Sequence, residues 1–146
     1  MREDTSVTID WGAINWLAVG AAVIVNMVLG ALWYSPVLLG KPWMKANGFT
    51  DESIKGHKSE ATKGYVVAVI ASIVTAITLA VLAQLIGADT LAEGLMLGLW
   101  VSIGLVFFAI AVNYVFEFRP MSLILINAGY PVVGQTIMAV ILAAWK

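Results

Sequence analysis

The run GYVVAVIASIVTAITLAVLAQLI at 64–86, the four residues GADT at 87–90 and the run LAEGLMLGLWVSIGLVFFAIAVNYVF at 91–116 together decide the fold. Each run is longer than the roughly 20 residues with which an α-helix crosses the ~30 Å hydrocarbon layer of a bilayer. Neither carries an interior Lys, Arg or Asp. Only Gly87, Ala88, Asp89 and Thr90 remain to turn the chain, and Thr90 stands three residues before Glu93, the spacing of a helix capping box. The run at 91–116 therefore begins a new helix rather than prolonging the one before it.

Two more spans flank this pair. Ile14 to Trp33 supplies 20 residues, just enough to cross, and a last run extends from about Ser122 to Trp145. The connection before that last run is short and holds Glu117, Arg119 and Pro120. Short links between long helices make them antiparallel neighbours, so the expected fold is an all-α membrane protein with four transmembrane helices in two antiparallel hairpins. A polar lead at 1–13 precedes a single transmembrane domain at 14–146, with approximate spans 14–33, 64–86, 91–116 and 122–145. The loop at 34–63 is long for a structureless link, and Pro36 and Pro42 break the chain at its start. Trp43 and Met44 between Lys41 and Lys45 suit a short interfacial helix, Gly48 allows a turn, and Thr50 can cap a brief polar helix.

Composition agrees. Of 146 residues 61% are hydrophobic and 12% charged, and the mean hydropathy is +0.93, whereas a soluble domain carries roughly 25% charged residues. Too few polar groups exist to cover a water-facing exterior, so the lipid bilayer is the expected partner of much of the surface. The net charge of −1 gives no basic footprint, and nucleic acid is excluded as a partner. Without cysteine there is no disulfide, thiolate nucleophile or cysteine-ligated zinc, and His57 is the sole histidine. No metal, cofactor or catalytic motif emerges, and the expectation is a protein that is not an enzyme.

Orientation rests on Lys and Arg. Lys41, Lys45, Lys55, Lys58, Lys63 and Arg119 lie on one side, and Arg2 and Lys146 on the other. The excess places the loop at 34–63 in the cytoplasm and both termini outside it. Trp11, Trp16, Trp33, Tyr34, Trp43 and Trp145 cluster at span ends, as an aromatic belt requires.

Polar and small residues inside the spans mark where helices meet. At about 100° per residue, Asn15, Ala22, Asn26, Gly30 and Trp33 share one face of the first helix, and Gly94, Gly98, Ser102, Ala109 and Asn113 one face of the third. Gly30, Gly94, Gly98, Ser102 and Gly134 are the expected packing positions, since small residues let backbones approach closely. Pro131 lacks a donor for the carbonyl of Asn127, which predicts a kink near Asn127 to Pro131, with Asn26, Asn113 or Gln135 as amide donors to the freed carbonyl. The candidates for a polar path or ligand pocket are Asn26, Asn113, Glu117, Asn127 and Gln135. Their plainer role is packing, in which amides bond across helices for ~0.6 kcal/mol each and Glu117 is solvated or paired with Arg119.

The stretches GALWYSP at 30–36, GKPWMK at 40–45, NYVFEFRP at 113–120 and LINAGYP at 125–131 resemble the bacterial family defined by domain of unknown function 1761. The resemblance runs from about Asn15 to Trp145 and implies four transmembrane helices in a bacterial inner membrane, with no activity attached. The first and third spans also echo each other, ending in Trp33, Tyr34 and Pro36 and in Tyr114, Phe116 and Pro120. Function is accordingly expected to be that of a helical bundle acting as a homo-oligomer or as a small subunit or accessory of a membrane complex. The alternative is a transporter or channel unit for a small solute or lipid, with a polar mid-membrane site.

Overall fold

The computed structural model describes residues 8–146, and all regular structure among them is helical. Arg2, counted above for orientation, and most of the polar lead lie outside the described residues. Four helices are long and apolar enough to cross a membrane: Trp16–Trp33, Ser59–Ile86, Leu91–Phe116 and Met121–Ala144. They correspond to α1 (Trp16–Trp33), α4 (Lys58–Ile86), the composite of α5 (Leu91–Val101), a π-helical stretch (Ser102–Phe107) and α6 (Phe108–Phe116), and α7 (Met121–Ala144). Two short helices, α2 (Gly40–Asn47) and α3 (Asp51–Gly56), fill the first loop.

Local chemistry sets the ends. Asn15 caps α1, its Oδ1 accepting from the backbone N–H groups of Leu17 and Ala18 at 3.0 and 3.1 Å. Thr90 and Glu93 form the reciprocal capping box that opens α5, and Thr50 and Ser53 do the same for α3. Pro42 breaks nothing: it sits in the first turn of α2, where its missing N–H has no intrahelical acceptor to serve. Helix α4 starts at Lys58, six residues ahead of the second apolar run, because no residue from Lys58 to Lys63 interrupts a helix. Gly48 and Gly87 close α2 and α4 in the left-handed region at φ 71° and 69°. Phe118 takes the same role after α6 at φ 57°, with its N–H bonded to Val115 O at 3.1 Å and that of Arg119 to Tyr114 O at 2.9 Å.

Helix α7 is the hub, touching α1, α2, α4, α5, the π stretch and α6, whereas α4 and α5, joined by only four residues, meet little. The contact of α5 with α7 is at backbone distance. A Cβ on Gly94 would lie 2.7 Å from the Cα of Val140, and one on Gly98 2.5 Å from the Cα of Thr136. The small-residue face of the third span stops at Ser102, however. Ser102 is fully buried, whereas Ala109 and Asn113 are exposed. The intervening π stretch takes more than 3.6 residues per turn, so positions assigned to one face by a uniform 100° step no longer align beyond it.

The apolar core gathers at one end of the molecule, around Ala22, Ala76, Leu79, Ala83, Met138 and Ala139. Only the second half of α4 takes part. Ser72, Ala76, Leu79, Ala80 and Ala83 are buried, on a spacing of three to four residues, while every residue from 59 to 71 is exposed. The first half of α4 thus diverges from α1 and α7, leaving a cleft at the end that carries α2 and α3.

Candidate functional site: an amide and aromatic cluster in a cleft

The cleft encloses about 780 Å³ and is lined by residues of α1, α2, α3, α4, α6 and α7. That is within the range of small-molecule sites, about 300–1,000 Å³. Among the described residues its wall carries no Lys, Arg, His, Asp or Glu; the polar groups are the side chain of Asn127 and the phenols of Tyr34, Tyr65, Tyr114 and Tyr130, with the indole of Trp43.

Asn127 organises these groups. Its Oδ1 accepts from the Tyr34 hydroxyl at 3.0 Å and from the Trp43 Nε1 at 3.1 Å. Its Nδ2 donates to the Tyr114 hydroxyl at 3.1 Å. Trp43 settles the amide orientation, because an indole N–H only donates and must face an oxygen. The stretches around GALWYSP, GKPWMK, NYVFEFRP and LINAGYP therefore each deliver one residue to a single cluster: Tyr34, Trp43, Tyr114 and Asn127. The echo between the ends of the first and third spans has its counterpart here, as Tyr34 and Tyr114 approach the same amide from opposite polarity.

The backbone around the cluster explains how it is held. Gly40 packs on the Tyr34 and Ser35 backbone so closely that a Cβ would overlap the Tyr34 carbonyl, and this contact swings α2 back over the cleft. Leu39 N bonds Trp33 O at 3.0 Å and Gly40 N bonds Ser35 O at 2.9 Å, tightening the same reversal. The Tyr34 ring meets Trp43 and Tyr130 edge-on, each at 5.7 Å between centroids. Burial here, aided by the neighbouring Tyr130 and Tyr114, pushes the Tyr34 phenol up to about 12. It stays a neutral donor to Asn127 at any physiological pH.

The remaining candidates lie elsewhere. Asn26 donates to the Ser72 hydroxyl at 3.1 Å, accepts the Tyr130 hydroxyl on its backbone carbonyl at 3.2 Å, and presses its Oδ1 against Gly134 with no room for a Cβ between them. Gly30 faces the Tyr130 hydroxyl, 3.0 Å from where a Cβ would stand. Asn113 is exposed and does not line the cleft. Glu117 pairs with Arg119 at 3.4 Å, both exposed. Gln135 is away from the cleft; its Oε1, the Thr136 Oγ1 and the Ser102 Oγ are buried without a partner among the described residues. The Trp33 Nε1 bonds Ile126 O at 3.0 Å, one residue before the Asn127 carbonyl for which donors were expected. Of the five polar-path candidates, only Asn127 reaches the cleft. Among the described residues no group of three His, Asp or Glu gathers as metal ligands.

Four site residues, Tyr34, Trp43, Tyr114 and Tyr130, were absent from the sequence candidates. Tyr34 and Trp43 read there as interfacial anchors, because an aromatic at a span end has the same signature whether it meets headgroups or a neighbouring helix. The signal that marked all four was their position inside the stretches that carry the family resemblance.

A family model described as "Protein of unknown function (DUF1761)" matches residues 17–143, most of the chain. No curated protein and no solved structure matches it. The chain belongs to the DUF1761 family.

Proposed function

We propose that this DUF1761 protein is a non-enzymatic, multi-pass membrane protein that binds a small amphipathic molecule in the cleft roofed by α2. In this reading the four helices form two antiparallel hairpins, α7 kinks at Pro131, and the cleft opens toward the cytoplasm, the side of the lysine-rich loop, with both termini outside. One observation carries it: a cleft of about 780 Å³ whose wall is aromatic and apolar, with a convergent amide and no charge among the described residues.

A charged solute would meet no counter-charge in that wall, and acid–base or nucleophilic chemistry would find no ionisable group besides phenols. A transmembrane polar path through Asn26 and Asn113 has less support, since neither residue lines the cleft. The assembly reading puts a helix of a second copy or of a partner subunit in the same space, against the exposed first half of α4.

Native mass spectrometry of protein extracted in a mild detergent separates these readings. Ala68 lines the cleft and Ala71 does not, and both stand on the unpacked half of α4. The binding reading expects a bound mass of small-molecule size that disappears in Ala68→Trp and persists in Ala71→Trp. A bound mass equally present in both variants, or none in the wild type, refutes it. Loss of a protein-sized partner in Ala68→Trp would favour assembly instead.

A further inference from the structure

From the hydrogen-bond balance around Asn127 we infer that the cleft selects an uncharged molecule bearing a carbonyl acceptor, of the kind found in membrane quinones and in acylglycerol esters. This rests on the binding reading above and gives the chemistry of its ligand.

Both lone pairs of the Asn127 Oδ1 are taken, one by Tyr34 and one by Trp43. The Nδ2 uses one of its two protons on the Tyr114 hydroxyl. Tyr114 receives that bond on its oxygen, so its own proton remains to be given, and no acceptor for it exists among the described residues. The Tyr130 hydroxyl is spent on the Asn26 carbonyl. At the base of the cleft, then, the acceptor capacity of the amide is exhausted while two protons stand open, the second on Asn127 and the one on Tyr114. An alcohol could accept the same protons but brings one of its own, for which the amide oxygen has no free lone pair. A carbonyl oxygen would satisfy both protons at once.

Two further features narrow the ligand. Asn127 lies six residues past the start of α7 at Met121, about 9 Å along the helix at 1.5 Å per residue. A ligand reaching it must bury its acceptor inside the span, which a charged headgroup resists. The faces around it are the rings of Tyr34, Trp43, Tyr114 and Tyr130 with the apolar side chains of Met27 and Ile110, so the body attached to that carbonyl is apolar, and flat rings have aromatic partners to stack on.

The test uses full-length protein in micelles and three probes: a short-chain benzoquinone, a short-chain diacylglycerol and an alkane of matched size. Binding is read from quenching of tryptophan fluorescence or, for the alkane, by competition. One or both carbonyl probes should bind at least about tenfold more tightly than the alkane, the scale of one to two hydrogen bonds. Tyr114→Phe should cut that preference, and quinone against diacylglycerol identifies which source the site prefers. A second measurement needs no variant: the carbonyl stretch of the bound probe should fall below its frequency in alkane solvent. Equal affinity for alkane and carbonyl probes, or an unshifted carbonyl band, overturns the inference while leaving the cleft a binding site. Failure of all three probes to bind overturns the inference and counts against the binding reading as well. Loss of binding in Ala68→Trp, but not in Ala71→Trp, shows that the probes report on the cleft.

Discussion

Replacing Gly98 by Ala tests the backbone-distance contact between α5 and α7. An added Cβ would stand 2.5 Å from the Cα of Thr136 and 3.2 Å from its Cβ. The nearer atom is backbone, so it cannot rotate away; α5 and α7 would have to part by about 0.9 Å to restore an ordinary 3.4 Å contact, and overpacking of that kind costs about 1–3 kcal/mol. Gly20 provides the control within the same protein. It lies mid-α1, is exposed, and has nothing within 4 Å of the position a Cβ would take, so Gly20→Ala should gain about 0.5–1 kcal/mol from reduced backbone freedom in the unfolded chain. Equilibrium unfolding in mixed micelles with rising sodium dodecyl sulfate, followed by circular dichroism, should therefore order the proteins Gly20→Ala, wild type, Gly98→Ala. Adding Thr136→Ala should not rescue Gly98→Ala, because the first clash is with the Cα. Equal stability of the two glycine variants, or full rescue by Thr136→Ala, would refute the backbone-distance contact between α5 and α7.

Asn127→Leu removes three hydrogen bonds, which at ~0.6 kcal/mol each in a membrane interior amounts to about 2 kcal/mol; the same unfolding titration should show that loss, with a change in the emission of Trp43. Phe118 holds φ 57° and is 94% exposed, so Phe118→Gly should stabilise by about 0.5–1 kcal/mol, the left-handed penalty less the extra freedom of glycine in the unfolded chain, whereas Phe118→Ala should change little. Tyr34 titrates near 12 against an ordinary 10.0, which means the folded chain holds that proton more tightly than the unfolded one. Its contribution to stability is thus complete below about pH 10 and falls as pH rises toward 12. The difference in absorbance titration at 295 nm between wild type and Tyr34→Phe should show a midpoint clearly above 10, and a midpoint at 10 would contradict the buried position of the ring.

How much of this the sequence discloses depends on whether a feature is local. The capping box of Thr90 and Glu93 and the cap at Thr50 are local, and both are present at the expected residues. The face of Asn26, Gly30 and Trp33 is legible because α1 is a uniform helix, and it meets α7 at Gly134, Tyr130 and Gly129. The third span is not uniform. Nothing in Ser102-Ile103-Gly104 announces a π-helical stretch, since no proline or charge marks it, and the error then carries on to Asn113, which the structure turns outward. The cleft was hidden for another reason. In an apolar solvent, hydrophobic periodicity stops distinguishing the packed face of a helix from the solvated one, so the run from Gly64 to Ile86 reads alike where α4 is packed and where it diverges.

The proposed binding role of Asn127 turns on its hydrogen bonds. An amide that only joins helices is best satisfied on both of its ends, because any polar group left open in a low-dielectric interior is a cost. Asn26 spends one Nδ2 proton on Ser72, joining α1 to α4, and stands outside the cleft. Asn127 accepts two bonds and donates one, to Tyr114, and both residues line the cleft. Tyr34, Trp43 and Tyr114 come from three separate elements, so the cost of gathering them in one place is conformational as well as electrostatic. Packing alone would be as well served by an apolar residue at 127 with no phenols to orient. Aromatic rings collected around an amide with one proton to spare, beside the exposed first half of α4, are what the proposed ligand would require.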